Sequence, residues 1–157
     1  MNLDTLISSN AVICTPDIKS KKRALEVLAE ALAQQPPETL DALEIFQLLI
    51  EREKLGSTSI GQGVALPHAR TKLTDHAIGA FLKLNEGIDF DSPDDKKTDL
   101  IVALLVPEHY TDEHLKILAY LASLFSDETF RKEIRDTNDA TNIHKHLINW
   151  QIASQAS

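Results

Sequence analysis

Residues 52–70 read REKLGSTSIGQGVALPHAR, which sets three glycines, three hydroxyl side chains, one proline and one histidine between two arginines. Such residues serve several chemistries. Gly56-Ser57-Thr58-Ser59-Ile60-Gly61 has the glycine spacing that opens a nucleotide-binding phosphate loop. That loop needs a lysine and then a serine or threonine after its second glycine, to hold terminal phosphates and magnesium, and Gln62 and Gly63 stand there instead. It also leaves a strand and opens a helix, the reverse of the order predicted here. A Ser-His-Asp hydrolase fits no better, because Ser57 and Ser59 lack the G-x-S-x-G turn that presents a serine nucleophile. For a metal, His144 and His146 lie two apart on a predicted helix and diverge, and no H-E-x-x-H or cysteine pair occurs.

His68 remains. Pro67 holds Leu66 extended and fixes its own torsion, so the histidine backbone is rigid at a strand end, as a nucleophile requires. A neutral imidazole attacks phosphorus when its other nitrogen donates a hydrogen bond that fixes the tautomer. An entering phosphoryl group needs donors, which Ser57, Thr58, Ser59, Gly61 and Gly63 offer as hydroxyls and approachable amides. Arg52 adds a forked cation. The same residues also fit a polar surface histidine beside a turn whose glycines serve only the backbone, and residue types alone leave both readings open.

The elements that must position these groups follow from periodicity. After the strand-like AVICT, residues 18–34 carry Ala24, Leu25, Leu28, Ala31 and Leu32 at helical spacing, ended by Pro36 and Pro37. A second helix is expected over residues 39–54, with Leu40, Leu43, Phe46, Leu49 and Ile50 inward and Glu38, Glu44, Glu51 and Glu53 outward, stopped by Gly56. VALPHAR, AIGAFLKL and DLIVALLVP read as strands, the last covered on both faces because it does not alternate. NEGIDF and DSPDDKKTD read as loops, with at most one edge strand. Helices are expected over 111–125, 127–135 and 139–149, the first with Thr111 as N-cap and Leu115, Leu118, Ala119, Ala122 and Phe125 on its inward stripe. ASQAS is expected to fray. The reading is a single α/β domain over residues 1–157, ordered from about 3 to 150, with no repeat and no long linker.

The formal charge of −8 argues against a nucleic-acid or anionic-membrane partner, which would need a basic face. The run of Lys19, Lys21, Lys22 and Arg23 reads as a solvated helix face. The first ten residues have no signal-peptide pattern, and the longest apolar run, residues 100–106, is too short to span a bilayer, so a cytoplasmic protein is expected. The single cysteine, Cys14, reads as a small buried side chain.

The stretch 52–70 resembles the active-site signature of phosphotransferase-system (PTS) IIA domains of the fructose, mannitol and nitrogen-regulatory group. The resemblance continues through DLIVALLVPEHYTDEHLKILAYLASLF and the SKKRALEVLAEAL helix, covering essentially the whole chain. It implies a mixed β-sheet flanked by helices on both sides. It also implies a phosphotransferase component that accepts a phosphoryl group on His68 from an HPr-like (NPr) phosphocarrier charged from phosphoenolpyruvate through enzyme I. On matching positions, Arg52 becomes the phosphate-proximal arginine and His114 the accessory histidine, and no metal, nucleotide or other cofactor is implied. The standalone chain and ALLVPE look most like the nitrogen-regulatory branch, whose phosphorylation state controls target proteins such as potassium-transport or sensor-kinase components. A sugar-specific IIA component that passes phosphate to a IIB domain, and a binding module that is never phosphorylated, are the alternatives. Ser59 and Ala69 stand where relatives commonly have glycine, and a positive φ at Ala69 would be strained. His76, His109, His144 and His146 read as surface or structural residues.

Overall fold

The apolar run 100–106 lies in β6 (Thr98–Pro107) and is buried throughout, as its lack of alternation requires. It is central to a six-stranded mixed sheet in the computed structural model, which describes residues 3–15, 17–35 and 39–156. On one side of β6 runs antiparallel β5 (Ile78–Ile88), and β1 (Val12–Thr15) pairs parallel with β5. On the other side β3 (Val64–Ala65) and β4 (His68–Thr71) lie end to end, both parallel to β6, with β2 (Ser59–Gly61) antiparallel to β3. Leu66-Pro67 separates β3 from β4 because proline brings no N–H to a ladder. The Pro67 carbonyl still accepts from the Leu104 N–H at 2.9 Å, so the chain stays pinned to β6.

Helices cover both faces. Phe81 of β5 stacks on Phe125 at 5.9 Å, Phe125 meets Phe130 at 5.1 Å and Phe130 meets Trp150 at 5.2 Å. This series ties the odd-numbered face of β5 to α4 (Glu113–Phe125), α5 (Glu128–Arg135) and α6 (Ala140–Ala156). Pleating turns buried Ala80, Leu82 and Leu84 to the opposite face, where α2 (Lys21–Ala33) packs on β5 and α3 (Ala42–Lys54) packs on α2. The one-turn α1 (Leu3–Leu6) adds Leu3 and Leu6 to the core.

Helices α2 and α3 each start three residues later than expected because their capping residues are extended. Ser20 Oγ accepts the Arg23 N–H, and the Asp41 carboxylate accepts from Leu43 and Glu44. Thr111 is not the cap of α4. Asp112 holds that position without a side-chain bond, and the Glu113 carboxylate reaches back to the Thr111 N–H at 2.8 Å. The inward stripe of α4 is Ile117, Leu121, Leu124 and Phe125, while Leu115 is 57% exposed. Apolar residues encircle most of this helix, so periodicity alone could not select the face.

On α3, Ile45 is buried and Leu43 is 63% exposed, and Glu53, expected outward, is buried. Asn85 to Ile88 extend β5 instead of forming a loop, and α6 continues through Ala156 where fraying was expected. Cys14 is half-buried in β1. Pro36, Pro37, Glu38 and Ser157 lie outside the described residues.

Candidate functional site

His68 opens β4, directly after the Pro67 interruption, and its register partner is Leu104. Leu104 also faces Gly79, two residues before Phe81, so His68 and Arg70 share the sheet face on which α4 lies. Arg70 uses that placement to anchor the loop leading into α4, donating to the Glu108 and Tyr110 carbonyls. His114, in the first turn of α4, is thereby delivered beside His68 and contributes to its electrostatics.

The half-buried His68 ring has Nδ1 2.9 Å from the Leu66 carbonyl oxygen. A carbonyl only accepts, so in the neutral ring Nδ1 carries the proton and Nε2 carries the lone pair. Burial holds the pKa below its ordinary 6.5; the Leu66 bond opposes this, Arg52 lowers it further, Glu53 raises it and His114 lowers it. A neutral imidazole with a defined tautomer results, which is the nucleophilic form.

Arg52 lies in the last turn of α3 and spends one N–H on the Gly56 carbonyl at 2.9 Å. Gly56 follows with φ +153, a conformation that favours glycine, and redirects the chain toward β2. Thr58 comes next, its amide donating to both Glu53 carboxylate oxygens at 3.3 and 3.2 Å and its carbonyl accepting from the Leu66 N–H at 3.1 Å. Two buried polar atoms here have no hydrogen-bond partner, Thr58 Oγ1 and His114 Nδ1. Elsewhere among the described residues Thr98 Oγ1, Tyr120 Oη and Arg131 Nε are likewise buried without partners, so the two orphans here carry weight only through their place near His68.

The rest of the expected cradle is divided. Ser57 Oγ donates to the Phe90 carbonyl at 2.6 Å and accepts the Ser59 N–H, while Ser59 Oγ donates to Val64 O and accepts the Gly61 N–H. Gly61 and Gly63, at φ +83 and +79, make the tight β2–β3 turn. A Cβ on Gly61 would meet the Asp94 carboxylate at 3.1 Å, and one on Gly63 would meet that of Asp99 at 2.7 Å. Val64 pairs with Leu100, so Gly63 falls beside Asp99, while His68 pairs with Leu104; Gly63 is displaced along β6 by five residues or about 16 Å. The structure thus gathers His68, Arg52, His114 and Thr58 and leaves Gly61 and Gly63 beside carboxylates at the other end of β6. Ala69 lies within β4 and is not among the residues with positive φ, so it carries no strain of that kind.

Sequence reasoning missed Glu53. Helical spacing sends it outward, but the loop after α3 folds back over it and Lys21 of α2 reaches it at 3.0 Å. The other histidines have local partners: His76 with Asp75, His109 edge-on to Tyr110, His144 with the Ile7 carbonyl and Asp4, and His146 with Glu133. Among the described residues no group of His, Cys, Asp and Glu could hold a metal ion, and no helix is long and apolar enough to cross a membrane.

The mannitol IIA crystal structure from Escherichia coli superposes with a TM-score of 0.72 at 20% identity, covering 89% of this chain and 97% of that one, which establishes the fold. A nitrogen regulatory protein of Bradyrhizobium diazoefficiens is 37% identical, with 94% of this chain and 95% of the relative aligned. The crystal structure of nitrogen regulatory protein IIA-Ntr from Neisseria meningitidis matches with a TM-score of 0.85 at 36% identity over 92% of this chain and 98% of that one. Residues 5–150 match the family described as phosphoenolpyruvate-dependent sugar phosphotransferase system, EIIA 2, and the chain belongs to that family.

Proposed function

We propose that this protein is a phosphohistidine carrier in which Nε2 of His68 accepts a phosphoryl group from an HPr-like phosphocarrier, and that partner proteins read its phosphorylation state. The observation that carries this reading is the Nδ1 bond to the Leu66 carbonyl, which commits one ring nitrogen and leaves the other as nucleophile. In the transfer the donor's nitrogen–phosphorus bond breaks as the His68 Nε2–phosphorus bond forms. Each imidazole keeps the proton on its other nitrogen, so no separate proton acceptor is needed.

Arg52 lies where its remaining guanidinium donors can balance the phosphoryl charge. Thr58 Oγ1 and His114 Nδ1 are polar atoms not already engaged, and Ser57 directly precedes Thr58 with its hydroxyl turned to Phe90. Phosphoryl transfer of this kind depends mainly on positioning and charge stabilisation, and these residues supply both. Leu55, 83% exposed three residues after Arg52, and Leu115, 57% exposed beside His114, give the surroundings an apolar surface suited to a protein donor. The regulatory output is favoured by the relatives named nitrogen regulatory protein.

The reading is tested by incubation with phosphoenolpyruvate, enzyme I and an HPr-like carrier. One acid-labile phosphoryl group is expected on the wild type and none on His68→Ala. A label that survives the substitution, or no label on wild type, contradicts it. Rapid onward passage to a IIB domain would instead identify a sugar-specific component.

A further inference from the structure

The geometry points to Glu53 as a positioning residue that sets the His68 tautomer through a relay of three hydrogen bonds, an inference that rests on His68 being the phosphoryl acceptor. The first bond runs from the Thr58 N–H to the Glu53 carboxylate, at 3.3 and 3.2 Å to its two oxygens. The second runs from the Leu66 N–H to the Thr58 carbonyl at 3.1 Å. The third runs from His68 Nδ1 to the Leu66 carbonyl at 2.9 Å. At Thr58 and at Leu66 the N–H and the carbonyl belong to adjacent peptide units joined at one Cα, so fixing the N–H bond restrains where the carbonyl of the same residue points. A carboxylate at the head of the series is its strongest acceptor.

The head is itself held firmly. Glu53 has a side chain only 5% exposed and pairs with Lys21 at 3.0 Å. Lys21 also reaches Asp91 at 3.3 Å and lies 4.6 Å from the centre of the Phe90 ring, whose residue accepts from Ser57. The N-terminus of α2, the C-terminus of α3 and the 89–91 turn therefore converge on one carboxylate, which fixes the loop before β3. Charged or titratable groups acting on His68 come from α3 (Arg52, Glu53) and α4 (His114), with Lys21 of α2 and Asp91 acting through Glu53.

The test is nitrogen-15 NMR of the imidazole rings in the unphosphorylated full chain, for wild type, Glu53→Gln, Glu53→Ala and Lys21→Met. Glu53→Gln keeps an oxygen for the Thr58 N–H, so the Nδ1–H tautomer is expected to persist while the His68 midpoint moves down with loss of the negative charge. Glu53→Ala is expected to mix the two tautomers and to slow phosphoryl acceptance about 10- to 100-fold, with Glu53→Gln recovering most of the rate. Lys21→Met is expected to move the midpoint up. A wild-type tautomer in Glu53→Ala overturns the relay; should that variant not fold, midpoints unchanged in both Glu53→Gln and Lys21→Met overturn it. The ring spectra need no phosphoryl donor, so the relay can fail while His68 still labels, or hold while it does not.

Discussion

Two polar clusters in this protein sit on opposite ends of β6 and are finished differently. At the Asp99 end, the ammonium of buried Lys83 donates to the Arg135 carbonyl at 2.7 Å, the Thr137 carbonyl at 2.6 Å and Asn138 Oδ1 at 3.0 Å. Arg135 in turn bonds both Asp99 carboxylate oxygens and the Gln62 carbonyl. These strong donors have charge-matched or multiple acceptors, and the cluster locks the C-terminus of α5 to the β2–β3 turn. At the Leu104 end, His68 has one committed nitrogen, and Thr58 Oγ1 and His114 Nδ1 are buried without partners. The charged groups of the first cluster are saturated, although Thr98 Oγ1 beside Asp99 is also buried without a partner, whereas the second cluster leaves a nitrogen of half-buried His68 uncommitted.

The contrast breaks most severely if the saturated cluster proves dispensable. Lys83→Met leaves three acceptors at the end of α5 without a donor and is expected to cost about 3 kcal/mol of stability, read by urea or thermal unfolding, with phosphoryl acceptance intact in the folded fraction. Arg52→Met is the reverse case. It should slow acceptance by about 100-fold, as loss of one charge-stabilising donor does, while unfolding shifts by less than about 1 kcal/mol. Rapid-quench phosphoryl transfer from the carrier separates the two outcomes.

A smaller effect is expected at His114. Its Nδ1 has no bond to lose, so His114→Ala should slow acceptance by about tenfold and leave stability within about 0.5 kcal/mol. A destabilisation as large as that of Lys83→Met would remove the distinction between the clusters.

The pH dependence sharpens it further. His68 is held below 6.5, so the unfolded chain binds the proton more tightly. Its contribution to stability is present above 6.5 and declines as pH falls through the lower folded-state midpoint. Acceptance, which needs the neutral ring, should likewise persist below 6.5 and fall off only at that midpoint. An imidazole proton shift titrating at or above 6.5 contradicts the burial argument.

How much of this was legible depended on whether local pattern or tertiary placement decides each residue. The covered strand in β6 follows from the unbroken apolar run 100–106, whereas VALPHAR, read as one strand, is broken at a proline that cannot join a ladder, so His68 opens a strand of its own. Helices α2 and α3 follow from spacing, but their starts at the Ser20 and Asp41 caps do not. The inward face of α4 does not, because a helix apolar nearly all round offers more than one stripe to a sheet. Glu53 was hidden for a related reason, since its burial depends on Lys21 arriving from another helix and on a loop returning over it.

The glycines show a further limit. A glycine that approaches a phosphate and one that makes a hairpin look alike in sequence, and only the register against β6 shows that Gly61 and Gly63 do the second. The family signature singled out His68, Arg52 and His114, and in the fold Arg52 and His114 lie close enough to His68 to act on its charge.

The central claim is a single bond, His68 Nε2 to phosphorus, and nitrogen-15 NMR of the imidazole rings in the enzymatically phosphorylated protein examines it most directly. The account requires phosphorus coupling at Nε2 of His68, with Nδ1 still protonated toward Leu66. Coupling at Nδ1 of His68, or at any ring nitrogen of His114, contradicts it.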